Sequence, residues 1–248
     1  MRRAPGRIVV VGASSGLGRA AAMIFARSGW QVAVAARREE RLREMCHEMP
    51  GHMTSMVIDV TAPDATERFQ KLIERNGGMD VLLFAAGCGW NNPGLDDDND
   101  RRTVDVNVVG FTAITEAAFR YFRDNGIAGQ IAAITSIAGT KGIGISATYS
   151  ATKRYQWSML QAYGQLSAIQ RLGIAVTDIR PGFVATDLLD TATRHYPMIM
   201  SVQKVAPRIA KAILRRRRVV VIDRRWAFVT ALWRCIPAVI WRRLRIEG

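Results

Sequence analysis

Arg7-Ile-Val-Val-Val-Gly-Ala-Ser-Ser-Gly-Leu-Gly18 decides how the rest of this 248-residue chain is read. Its first half, Arg7 to Val11, is an unbroken β-branched run, the pattern of a strand buried on both faces. Its second half carries glycines at 12, 16 and 18, where the chain leaves the strand and has to turn tightly. Beyond it Ala20, Ala21, Ile24 and Phe25 recur at helical spacing, and Gly29 is placed to end the helix. A glycine turn between a strand and a helix lets the backbone approach a pyrophosphate, which the free N–H groups of the helix start can hold.

The alternation repeats outward. Gln31–Ala36, Met53–Asp59, Val81–Ala86, Gln130–Thr135, Ile174–Ile179 and Val219–Ile222 read as further strands. Glu39–Met49, a segment opened by Thr61 and Pro63 and running to Arg75, Arg101–Asn125, Tyr149–Leu172 and Val202–Leu214 read as helices. Pro50-Gly51, Asn76-Gly77-Gly78, Gly126 and Gly173 punctuate their ends. The carboxylates of Asp96–Asp100 read as a solvated helix entry. The pattern predicts an α/β fold: a single-domain, Rossmann-like, doubly wound parallel sheet of about seven strands with helices on both faces. Residues 1–222 form the nucleotide-binding and catalytic domain in this reading, and 223–248 an amphipathic basic and aromatic extension.

Apolar residues make up 49% of the chain and charged residues 23%, which allows a sizeable core and excludes a disordered chain or a small disulfide scaffold. The net charge of +14 is uneven, since ten arginines lie from Arg215 onward against only Asp223 and Glu247. The residues between those arginines are apolar, so no nucleic-acid partner is expected. Cys46, Cys88 and Cys235 are odd in number and far apart, and His47, His52 and His195 show no ligand spacing with them. They read as reduced thiols without a metal site. Arg2, Arg3 and Arg7 lead directly into the first strand, and no apolar run reaches the ~18 residues of a membrane span. The expected location is cytoplasmic, with a membrane-associated state on that face if the tail binds lipid.

Tyr149 and Lys153 are four apart on a helix and share a face. An ammonium beside a phenol stabilises the phenolate and lowers its pKa from ~10 toward working pH. Tyr149 can then give a proton to a carbonyl oxygen or take one from an alcohol. Ser136, at the C-terminal end of the fifth strand, can hydrogen-bond the same oxygen. At the end of the second strand Ala36 is followed by Arg37 and Arg38, with no acid to hold the ribose hydroxyls of NAD. A guanidinium suits the 2′-phosphate of NADP(H), and Arg37 carries that preference because Ser15 adds no charge. The alternative is a solvated basic helix start beside Glu39, Glu40 and Arg41.

With these motifs in order, the chain resembles the short-chain dehydrogenase/reductase family. Gly12-x-x-x-Gly16-x-Gly18, with Ser14, Ser15 and Leu17 inside it, is similar to the family's cofactor turn. Asp59-Val60 resembles the pair that meets the adenine, and Ala85-Ala86-Gly87 the tail of the Asn-Asn-Ala-Gly motif. Asn107 matches the tetrad asparagine, Ser136 stands thirteen residues before Tyr149, and Tyr149-Ser-Ala-Thr-Lys153 is the family's Tyr-x-x-x-Lys. Pro181-Gly182, followed by Val184 and Thr186, resembles the nicotinamide-side loop. The resemblance implies a catalytic set of Asn107, Ser136, Tyr149 and Lys153. It also implies that Lys153 holds the nicotinamide ribose, that Asn107 positions a water for proton relay, and that a homodimer or homotetramer forms through the helices of Asn107 and Tyr149. Val11 and Phe84 depart from the pattern, standing where the family has Thr or Ser and its first Asn.

The expected activity is NADP(H)-dependent interconversion of a ketone or aldehyde and an alcohol on an apolar or lipid-like small molecule. A nucleotide-binding regulator without turnover and a redox-neutral epimerase or dehydratase are the alternatives. Phe183–Met200, with Leu188, Leu189, His195, Tyr196, Met198, Ile199 and Met200, reads as the substrate cover. His195 either meets a polar substrate group or is only a lid residue, and Trp90 either lines the pocket or caps the sheet. In the tail, Trp226, Trp233 and Trp241 flanked by arginines suggest a peripheral membrane contact through 224–245, with rings at headgroup depth. The same stretch also suits a cover over the protein's own pocket or a subunit interface.

Overall fold

The computed structural model describes residues 5–189, 195–244 and 246. Its strands are β1 (Arg7–Val11), β2 (Gln31–Ala36), β3 (Met53–Val57), β4 (Val81–Phe84), β5 (Gln130–Ile134), β6 (Ala175–Pro181), β7 (Val184–Ala185), β8 (Met200–Ser201) and β9 (Val219–Ile222). Its helices are α1 (Gly16–Arg27), α2 (Glu39–Glu48), α3 (Ala65–Arg75), α4 (Asp97–Val104), α5 (Phe111–Asp124), α6 (Ala147–Ile169), α7 (Val202–Leu214), α8 (Arg224–Cys235) and α9 (Ala238–Trp241). Seven strands form one parallel sheet in the order β3-β2-β1-β4-β5-β6-β9. The order reverses between β1 and β4, and a crevice opens there at the carboxyl ends of the strands.

Strand alternation sorts the core into two layers. Ile8 and Val10 face Ala21, Phe25, Val205 and Ile209 of α1 and α7, while Val9 and Val11 face Phe69, Phe111, Ile114 and Leu160 of α3, α5 and α6. All of these side chains are buried. Burying each is worth roughly 1.5–3 kcal/mol, so both helical layers are bound to the same central strand. Val11 pairs with Ala35 on one side and Phe84 on the other. The glycine turn therefore leaves the sheet between the ends of β2 and β4.

The single helix expected over Arg101–Asn125 is three pieces. α4 and α5 are joined by a π-helical segment, Asp105–Gly110, that holds Asn107. A β-carbon on Gly110 would stand 2.6 Å from Val60 Cγ2 and 2.8 Å from Val60 O, so the widened turn rests against the loop after β3. α3 begins at Ala65 and not near Thr61, because Thr61 N and Oγ1 both donate to Asp59 Oδ1 (3.0 and 2.8 Å). Asp96 caps α4 by accepting from Asn99 N (2.9 Å), as the acidic entry implied.

The tail folds back on the body as α8 and α9. Trp226 is buried, and its ring occupies the space a side chain on Gly182 would need. Trp226, Trp233 and Trp241 form an edge-to-face ladder with centroids 6.5 and 5.4 Å apart. Trp241 Nε1 donates to Gly142 O (2.7 Å) and Lys141 Nζ to Ile236 O (2.9 Å). This corrects the expectation of three tryptophans at headgroup depth: their rings turn toward the protein. Phe228, Leu232, Val239, Ile240 and Leu244 form the exposed side instead. Arg2, Arg3, Arg245 and residues 190–194 of the expected substrate cover lie outside the described residues. No helix among the described residues is long and apolar enough to cross a membrane.

Candidate active site

One cleft of about 810 Å³ runs along the carboxyl ends of the strands. Every expected cofactor-binding residue lines it: Gly12, Ser14, Ser15, Gly16, Leu17, Gly18, Arg37, Arg38, Asp59, Val60, Ala86, Gly87, Tyr149, Lys153, Pro181, Gly182, Val184 and Thr186. Gly12 has φ +89°, and a β-carbon there would collide with Ala86 N. That contact lets the first turn pass flat beneath the cleft floor, where a dinucleotide fits and a larger residue would not. The fit extends to the basic end. Arg38 reaches over the turn, with Nε and Nη2 donating to Ser14 Oγ (3.2 and 3.0 Å) and Nη2 to Ser15 Oγ (2.6 Å). Arg37 lines the same end without such bonds. Of the two arginines expected at this end, Arg38 is the one that the serines orient, and its Nη1 also lies 3.6 Å from Asp187 Oδ2. Burial pushes Asp59 upward, but the hydrogen bonds from Thr61, helped by Arg37, bring its carboxyl below the usual range.

At the other end stand Ser136, Tyr149 and Lys153. Ser136 follows β5 by two residues and caps a 3-10 turn, its Oγ accepting from Ala138 N (3.1 Å). Tyr149 and Lys153 lie in the first turns of α6, with Lys153 Nζ 5.5 Å from the centre of the Tyr149 ring. Burial pushes the Tyr149 phenol up to about 12, although hydrogen bonding with Ser136 pulls the other way. Burial pushes the Lys153 ammonium down to about 8, against the pull of Cys88 and Asp178. The expected lowering of the Tyr149 pKa by Lys153 is therefore not found in the chain alone. Desolvation of the phenol outweighs the Ser136 hydrogen bond, while the Lys153 ammonium lies over the ring face and is itself held less strongly protonated.

Asn107 sits apart from the cleft wall, fully buried. Its Nδ2 donates to Cys88 O (2.7 Å) and Thr152 Oγ1 (3.1 Å), and its Oδ1 accepts from Cys88 N (3.1 Å). The side chain thus clamps the loop after β4 to α6. Gln156, which sequence reasoning missed, links Lys153 to Asn107: Lys153 Nζ donates to Gln156 Oε1 (3.2 Å), and Gln156 Nε2 donates to Asn107 O (2.9 Å). Its signal was a glutamine three residues beyond Lys153 on the buried side of α6.

The substrate side is apolar. Ile143, Ile145, Phe183, Leu188, Leu189 and Tyr196 line it, and Trp226 and Trp233 of the tail close it. Trp90 also lines the cleft. His195 is exposed and lies outside the lining, while Met198 and Met200 pack into the core beneath β7 and β8. Of the expected cover, Phe183, Leu188, Leu189 and Tyr196 line the cleft, whereas its methionines pack beneath it, and Trp226 and Trp233 of the tail add a further wall.

The family model for short chain dehydrogenase matches residues 7–197. The chain belongs to this family. An uncharacterized oxidoreductase of Myxococcus xanthus is 32% identical over 249 residues, covering 96% of both chains. Sulfoacetaldehyde reductase 2 of Chromohalobacter salexigens is 31% identical over 186 residues, 73% of each. In fold, the chain is similar to a 3-ketoacyl-(acyl-carrier-protein) reductase from Brucella melitensis complexed with NADH. That likeness has a TM-score of 0.78 and 22% identity, and covers 89% of this chain and 97% of the other. This short-chain dehydrogenase is an oxidoreductase of the NAD(P)-binding type, and its glycine turn, Tyr-x-x-x-Lys helix and aromatic tail share one cleft.

Proposed function

We propose that this protein reduces a ketone or aldehyde with NADPH, or oxidises the corresponding alcohol with NADP. The observation that carries the reading is the single cleft with two ends. A glycine turn and two arginines stand at one, Ser136, Tyr149 and Lys153 at the other, with apolar walls beyond them. Bound there, the nicotinamide group supplies or accepts the hydride. The N-terminus of α1 and the glycine turn hold its pyrophosphate. Ser14, Ser15, Arg37 and Arg38 hold the 2′-phosphate, Asp59 and Val60 the adenine side, Lys153 the nicotinamide ribose, and Ala86, Gly87, Pro181, Gly182, Val184 and Thr186 the remaining walls. Ser136 donates to the substrate oxygen, and Tyr149 gives it a proton in reduction.

Fluorescence titration with NADPH and NADH, using the wild type and Arg38→Ala and Arg37→Asp variants, tests the cofactor. NADPH is expected to bind at least about tenfold more tightly than NADH, and the variants to remove that margin. Equal affinities in the wild type would refute the preference. Tyr149→Phe separates the enzyme from a nucleotide-binding regulator, because an enzyme loses turnover and keeps cofactor binding.

Residues 223–248 serve in this reading as an extension that closes the 1–222 catalytic domain. Its outer side, Phe228, Leu232, Val239 and Ile240 among Arg224, Arg225 and Arg243, suits an anionic lipid surface. Flotation with phosphatidylserine vesicles tests this contact. Phe228→Glu with Ile240→Glu should abolish binding, and no binding by the wild type would sink it. Exposed Val109 near Asn107, with Leu166 and Ile169 of α6, supports a homodimer or homotetramer through those helices.

A further inference from the structure

Beyond the catalytic cleft lies a second cavity of about 820 Å³, between the loop 139–147, the start of α6 and the end of the tail. Ile143, Ile145 and Ile246 line both cavities, so the two adjoin at these apolar side chains. Its far side is cationic. Lys141, Arg154 and Arg242 line it, and among the described residues no carboxylate does and none of the three forms an ion pair. Lys141 Nζ donates one hydrogen bond to Ile236 O, and Arg154 Nη1 donates to Gly139 O (3.3 Å). Both keep further donors. Three like charges beside apolar walls repel one another. A bound anion with an apolar body offsets that repulsion.

We infer that the second cavity seats the anionic head, carboxylate or phosphate, of an amphiphile whose chain makes a passage between these isoleucines, so that its carbonyl end reaches Tyr149. The inference rests on the oxidoreductase reading above and narrows its substrate class. Lys141, Arg154 and Arg242 provide charge-assisted donors for the head, and Trp241, fixed by its bond to Gly142 O, forms an apolar wall beside them. A neutral chain of the same length fills the passage but gains nothing at the cationic side.

Two measurements on the full chain test it. In the first, dodecanoate, dodecyl phosphate and dodecanol are titrated below their micelle concentrations, following tryptophan fluorescence, with Trp241→Phe to assign the signal. The anions should bind saturably and at least about tenfold more tightly than the alcohol. Arg242→Gln, which changes an exposed side chain, and its double variant with Lys141→Gln should remove that advantage and leave dodecanol binding unchanged. Stronger dodecanoate binding marks a carboxylate site, and stronger dodecyl phosphate binding a phosphate site. Equal binding of dodecanol by the wild type, or equal loss of all three ligands in Arg242→Gln, would overturn the inference.

In the second, ω-oxododecanoate, its methyl ester and dodecanal are compared as oxidants of NADPH. The acid should exceed the ester at least about tenfold in kcat/KM, and the variants should erase that margin while dodecanal turnover stays. Acid and ester turned over alike would refute the anion site and leave the oxidoreductase reading standing. Variant-sensitive anion binding without turnover of any carbonyl compound would refute that reading and with it the substrate role of the cavity.

Discussion

Lys153 meets two opposing demands, and its surroundings show which prevails. Burial disfavours its charge, whereas Gln156 Oε1 accepts a hydrogen bond from it and Asp178 attracts it. Burial wins, bringing the ammonium down to about 8 from the ordinary 10.5. A lysine with a lowered folded pKa binds fewer protons in the folded than in the unfolded chain between those two values. Stability of the cofactor-free protein should therefore rise as pH increases from about 8 to 10.5. Lys153→Met removes the penalty. Its melting temperature should exceed that of the wild type at pH 7, with the gap closing toward pH 10, and a constant gap in thermal melts would contradict the assignment. Gln156 belongs to the same balance. Replacing it by Leu leaves both the Lys153 ammonium and the Asn107 carbonyl without their partner, at a cost of about 1–3 kcal/mol for a buried group. The expected result is a lower melting temperature together with weaker NADPH binding. A loss of stability alone would mean that Gln156 only packs.

The π segment between α4 and α5 shows how an element's shape serves the site. Asn107 reaches back to Cys88 and across to Thr152 because the helix widens there, and the widening follows the close seat of Gly110 on Val60. Gly110→Ala would force Val60 or the turn to move, and crowding of this kind costs about 1–3 kcal/mol. Since Val60 lines the cleft, the variant should raise the KM for NADPH as well as lower the melting temperature. Unchanged KM in steady-state assays would show that the turn absorbs the methyl group without moving Val60. Apolar periodicity over Arg101–Asn125 reads as one helix because a single added residue per turn leaves the spacing of Phe111, Ile114 and Phe122 intact. By contrast β1, the glycine turn and α1 were legible almost to the residue. There the β-branched run, the glycines and the helical spacing each set a boundary by local sterics. Ser136, Tyr149 and Lys153 were legible from spacing and resemblance, whereas Gln156 depended on which face of α6 the fold buries.

At the scale of the whole molecule, the tail and the catalytic cleft are one body. Arginines and tryptophans in the same order suit a lipid surface or the protein's own cleft, so the sequence alone left the direction of the rings open. The fold decides it through one small residue. Gly182, on the loop after β6, leaves the space that Trp226 fills, and Phe183 packs edge-on against the same indole at 5.5 Å. Trp226 thus braces the loop that carries Val184 and Thr186 and, with Trp233, walls the substrate side. Trp226→Ala should cost about 3–5 kcal/mol, the range for emptying a buried aromatic site. Its effect on catalysis should depend on the substrate. With a short aldehyde, which does not reach the tail, kcat should stay near that of the wild type. With dodecanal, KM should rise several-fold because the aromatic wall is gone. If kinetics at a temperature where the variant is folded showed the same loss for both aldehydes, Trp226 would be acting on the nicotinamide-side loop and not as the far wall of the cleft.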